Sequence, residues 1–162
     1  MMSFRLKSLL FAAGVATMFT QVSLPEADAY GYGGRQYYSS WSYQPSRSYH
    51  YTRYYYQPTV TATTYHYHYC ISYPSQPRYV YYYNPVSEVY WGRLDLEGKE
   101  GAQYSLLADK DRKKNLSDIP ESAFPAPAAL PAIPGTADNI KMEAITTRPG
   151  EEPADLPTDA KK

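Results

Sequence analysis

The 162 residues carry sixteen basic and sixteen acidic side chains, and twenty of them are tyrosine. A single cysteine excludes an internal disulfide framework. The balanced charge gives no concentrated basic patch of the kind that phosphate backbones need, so no nucleic-acid partner is expected.

The chain starts with a cationic stretch holding Arg5 and Lys7, followed by an apolar run from Leu9 to Phe19 and the triplet Ala27-Asp28-Ala29. That order reads as a secretory signal peptide over residues 1–29, with the small side chains of Ala27 and Ala29 marking the cleavage site. The apolar run falls short of the roughly 20 residues that span a bilayer. The mature chain then begins at Tyr30 and is expected to hold no transmembrane span. The expected location is extracellular, periplasmic or in the cell envelope.

Residues 30–58 are low-complexity: Tyr, Ser, Gly, Gln, Arg and Pro, with almost no aliphatics. Aromatic residues spaced by polar ones read as a disordered, self-associating segment. The charges between Tyr30 and Tyr90 are Arg35, Arg47, Arg53 and Arg78 against Glu88. Arginine stacks on aromatic faces better than lysine.

Residues 59–107 form the expected folded part. "TVTATTYHYHYCISY" (59–73) is dense in β-branched and aromatic residues and reads as a strand. "PSQP" is a turn, residues 78–84 a second strand, and 86–97 a third, resumed after Pro85. Residues 98–102 make a glycine-bounded turn before a short fourth strand, "QYSLL". The fold class is therefore mainly β, a small antiparallel meander of three to four strands flanked by low-complexity and disordered segments. Residues 108–124 form a charged connector, in which Asp118 and Glu121 are placed to cap a short helical turn around Pro120. From Pro125 to the end, a Pro/Ala/acid tail carries too little apolar area to offset its ordering entropy and is expected to be disordered.

Strand alternation sorts the candidate site residues. Tyr65, Tyr67, Tyr69 and Tyr73 share one face, and cross-strand pairing with Tyr79, Tyr81 and Tyr83 would extend it into an aromatic surface. Tyrosine offers rigid, amphipathic contact area at low entropy cost, which suits binding of envelope polymer, other exported proteins or a second copy of the chain. His66, His68 and Cys70 share the opposite face. Imidazole and thiolate donors suit copper or zinc, but a closed site needs about four ligands, and one straight strand spreads three of them too far to converge unaided. No catalytic signature is present: no nucleophile elbow, phosphate-cradling glycine loop, Cys-x-x-Cys pair or H-E-x-x-H helix. Residues 68 and 70 are about 6.8 Å apart along a strand, beyond the reach of a thiol–imidazole hydrogen bond. The expected function is non-enzymatic, with no cofactor and an interaction role for the tyrosine face. The alternative is copper or zinc binding by His66, His68 and Cys70.

The segments "YYYNPVSEVYWGRLDL", "YSLLADKDRK", "IPESAFPAP" and "PAIPG" resemble a group of uncharacterised, signal-peptide-bearing bacterial proteins. Those proteins have a Tyr-rich first half followed by the same strings in the same order. The resemblance covers about residues 81–135 and implies export from a bacterium. It assigns no activity.

Overall fold

The computed structural model describes residues 34–150. The candidate signal segment and its Ala27 and Ala29 lie outside the described residues. The architecture is one curled antiparallel sheet of seven strands: β1 (Gln36–Tyr38), β2 (Ser42–Gln44), β3 (Tyr49–Tyr56), β4 (His66–Ser72), β5 (Tyr79–Asn84), β6 (Val89–Lys99) and β7 (Ala102–Leu106). β3 to β7 follow one another as a meander, and β1 and β2 pair in turn with the outer edge of β3.

The four-strand meander read from the sequence is present as β4 to β7, with two changes. Residues 59–64 are turn, not strand. Tyr56 pairs directly with His66, so the intervening segment has no partner strand, and it folds on itself with Ala62 N–H donating to Thr59 O at 3.2 Å. β6 begins at Val89 and not at residue 86, because Asn84 Oδ1 accepts from the backbone N–H groups of Val86 and Ser87 at 2.9 and 3.2 Å. That side-chain turn reverses the chain before β6 can start.

The larger correction concerns residues 30–58. Residues 36–56 are ordered as β1, β2 and β3, which raises the strand count above the three or four expected. β3, "YHYTRYYY", pairs with the whole of β4, from His50 opposite Ser72 to Tyr56 opposite His66. Tyrosine does here what aliphatic residues do elsewhere. Its ring supplies buried area, and several of its hydroxyls find partners, although that of the buried Tyr104 has none among the described residues. Tyr54 donates to Gln36 Oε1 at 2.5 Å, and the Tyr38 and Tyr82 hydroxyls meet at 2.8 Å.

Both faces of the sheet bury side chains. One packs Tyr54, Tyr56, Cys70, Val80, Tyr82, Leu94 and Tyr104 against Ile133, Met142 and Ile145 of the segment following Pro125. The expected disorder of that tail therefore does not hold as far as Gly150. The chain runs over the sheet as a strap, turned back at Gly135 (φ 75°) so that Ala132 bridges Lys141. Arg35 is ion-paired with Asp138. The Tyr38 hydroxyl donates to Glu143 O at 2.8 Å, and Trp41 Nε1 donates to Thr147 Oγ1 at 3.1 Å. The other face gathers Ile71, Tyr81 and Tyr90 under Leu107, just past β7, and Ile119 of the connector. That connector is three short 3-10 turns, at Asp109–Asp111, Leu116–Asp118 and Glu121–Ala123. The last follows Pro120 as expected but has no side-chain cap, because its N-cap residue is Pro120 itself, whose side chain carries no acceptor; Asp118 accepts from Asn115 Nδ2 at 2.9 Å.

Gly92 lies where the register of β5 and β6 shifts and Trp91 is the extra residue of a bulge. A Cβ there would lie 2.6 Å from Ser105 O and 2.7 Å from the Tyr104 ring. Because the obstruction includes backbone, Gly92→Ala is expected to cost about 3 kcal/mol, as overpacked interiors do. Urea unfolding measures this, and an unchanged midpoint would show that β7 moves aside freely.

Candidate functional site

The face opposite the strap is covered only in part. Between the connector and the turn after β2 lies a cleft of about 1100 Å³. Its floor follows from strand alternation and register. Tyr49 and Tyr51 come from β3, Tyr69 and Ile71 from β4, Tyr81 and Tyr83 from β5, and Tyr90 from β6. Tyr69 is paired with Tyr83, and Tyr83 with Tyr90, so one aromatic row crosses three strands. The rings meet edge to face: Tyr51 with Tyr69 at 5.8 Å and 77°, Tyr83 with Tyr90 at 5.1 Å and 69°. That arrangement sets the positive edge of one ring against the negative face of the next.

Polar groups surround this floor. Tyr73 and Tyr90 share a hydroxyl hydrogen bond at 3.0 Å, and Tyr81 donates to Gln76 Oε1 at 2.6 Å. Glu88 is paired with Lys114 at 2.8 Å. Arg93, nearly buried, makes a two-pronged pair with Glu121 at 2.9 and 2.5 Å. Its guanidinium lies between the rings of Tyr79 and Phe124, 4.2 and 4.1 Å from their centres. This planar cation holds the connector wall to the sheet. Burial, followed by the Tyr73 hydroxyl, pushes the Tyr90 phenol well up, and burial raises Tyr81 and Tyr83. The Lys114 partner holds Glu88 down, and Arg93 does the same for Glu121. These shifts move the titration of each group further from neutral pH.

Of the tyrosines expected to form one face, Tyr69, Tyr73, Tyr81 and Tyr83 line this cleft. Tyr65 does not: it sits in the turn before β4, where its hydroxyl donates to Gly34 O at 2.7 Å and its ring meets Tyr37. Tyr67 packs on Tyr55 and Tyr69, and Arg53 lies over both Tyr67 and Tyr69. Tyr79 is occupied by Arg93. The sequence reading missed Tyr49, Tyr51, Tyr90 and the connector wall. The first two were readable only as every second residue of "YHYTRYYY", within a segment of low-complexity composition.

The His/Cys set is placed on the strapped face as alternation requires, but it is not brought together. His66 is exposed, whereas His68 and Cys70 are buried. The neighbours opposite the three are Thr52, Tyr54, Tyr56 and Tyr82, which supply no further His, Cys or carboxylate. Among the described residues, no three His, Cys, Asp or Glu side chains converge as a metal site would need. Cys70 is unpaired and wholly buried, with its thiol pushed far up by desolvation. His68 sits between the rings of Tyr56 and Trp91, each 5.4 Å away, and its Nδ1 has no hydrogen-bond partner among the described residues.

Fold and site together define a small tyrosine-rich antiparallel β protein, strapped on one sheet face and carrying an aromatic cleft on the other. No known protein family matches the chain, and no curated protein or solved structure is detectably similar to it. Among the described residues, no helix is long and apolar enough to cross a membrane.

Proposed function

We propose that the protein is exported and acts as a non-enzymatic interaction protein of the cell envelope or extracellular space, with the tyrosine cleft as its binding surface. The observation that carries this reading is the cleft itself, floored by tyrosines from four consecutive strands. Concave sites lined by aromatics with a few placed polar groups are where proteins hold ligands. The direction of the shifts adds support. The buried phenols stay neutral and the paired carboxylates stay charged at neutral pH, whereas general acid–base work needs groups poised near the operating pH. Export is supported by the cationic, apolar and Ala-x-Ala order of the first 29 residues.

The test is co-sedimentation of the chain from Tyr30 onward with the insoluble envelope fraction of its own cells. Retention is expected, and the double variant Tyr69→Ala/Tyr83→Ala should reduce it about tenfold, the equivalent of ~1.4 kcal/mol. His66→Ala, on the other face, should leave it unchanged. If the wild type stays in solution, or if the double variant is retained equally, the reading fails.

A further inference from the structure

The cleft's unspent polar groups point to a chemical class of ligand, and this inference rests on the cleft being the binding surface. We propose that it holds an oligosaccharide bearing a carboxylate, such as a uronic-acid chain. Three observations converge on that chemistry. First, Tyr49, Tyr51 and Tyr83 line the cleft, and none of their hydroxyls makes a hydrogen bond among the described residues. Each presents a donor and an acceptor beside a ring. A sugar needs that combination, because its C–H face stacks on an aromatic ring while its hydroxyls must exchange water for other partners. Gln76 adds an amide nitrogen at the same surface that has no hydrogen-bond partner among the described residues, its oxygen alone being engaged, by Tyr81.

Second, the floor excludes other classes. β3, β4, β5 and β6 are each paired on both sides, so no backbone edge is open in the floor for an added peptide strand. Among the described residues the apolar lining is mainly aromatic, eight rings against the three branched aliphatics Ile71, Leu116 and Ile119, which suits an acyl chain poorly. Third, the charges of the lining are paired except one. Glu88 is matched by Lys114 and Glu121 by Arg93, while Arg47, at the edge beside Gln44, makes no ion pair or hydrogen bond among the described residues. A single free guanidinium suits one carboxylate. It is too little for a nucleic acid, whose binding needs several phosphates neutralised at once.

Titration calorimetry of the chain from Tyr30 onward with tetragalacturonate, and with its neutral methyl ester, tests this. Saturable binding of the acid is expected, with the ester about fivefold weaker, as an exposed ion pair allows. Arg47→Gln should erase that difference without touching ester binding. Tyr51→Phe/Tyr83→Phe, which keeps both rings and the packing, should weaken both ligands about tenfold. Failure of either saccharide to saturate overturns the proposal, as does equal affinity in the Phe variant, or binding of a proline-rich decapeptide with both sugars inert. If envelope retention depends on Tyr69 and Tyr83 while the saccharides do not bind, this inference alone fails. If retention itself is absent, the parent reading fails as well.

Discussion

Truncation after Pro127 is expected to abolish cooperative unfolding. The segment removed buries Ile133, Met142 and Ile145, each at most 5% exposed, against the first sheet face. Fully burying side chains of this size is worth roughly 1.5–3 kcal/mol each. Together they contribute roughly 5–9 kcal/mol, comparable with the whole stability of a typical domain. Loss of the strap also uncovers Tyr54, Val80, Tyr82 and Leu94, which are at most 1% exposed in the intact protein. The truncated chain should show a broad, low-amplitude urea transition and bind an apolar dye. Met142→Ala, a milder change, should keep the transition and lower stability by about 2–5 kcal/mol. Trp41 is bonded to Thr147, so tryptophan emission reports detachment of the strap directly. A sharp transition at the wild-type midpoint after truncation would mean that the sheet stands without its cover.

The strap was hard to read because nothing local announces it. Its buried apolar residues are single positions, Ile133, Met142 and Ile145, in a run rich in Pro, Ala and polar residues. An extended segment needs no period of its own when its backbone is satisfied from elsewhere. Gln36 donates to Lys141 O and accepts from Glu143 N–H, across more than 100 residues of chain. β3 was hidden for a different reason. A strand with one buried face alternates apolar and polar, but β3 packs on both faces, and five of its eight residues are tyrosine, on either face. Composition rules that count aliphatics then classify it with disordered chains. By contrast, β4 to β7 were legible because turn residues punctuate them: Pro74 to Pro77, Asn84-Pro85 and Gly101. The part of the cleft floor seen from sequence is the part built on those strands. The rest depends on β3 pairing with β4 and on Arg93 holding the connector, neither of which is a local property.

Burial makes His68 a source of acid sensitivity. Desolvation, followed by the nearby Arg112 charge, lowers its pKa to about 4, whereas an unfolded histidine titrates near 6.5. Between those values the unfolded chain binds the extra proton and the folded chain does not, so stability rises with pH across this window. The contribution is fully present above pH 6.5 and is lost as pH falls toward 4, by about 3 kcal/mol in all. The ion-paired Asp95, Glu121 and Asp138 have carboxyls held below their ordinary values, so their losses come at lower pH. Urea unfolding at pH 7, 5.5 and 4.5 should therefore show falling stability already above pH 5. His68→Phe keeps an aromatic ring between Tyr56 and Trp91 and removes the titrating group, together with the unpartnered Nδ1. Its stability should be nearly flat across that window, with a neutral-pH value offset by whatever strain the larger ring adds. Parallel pH profiles for the two proteins would show that His68 takes up its proton without opening the sheet, and that the strapped face admits water which this packing excludes.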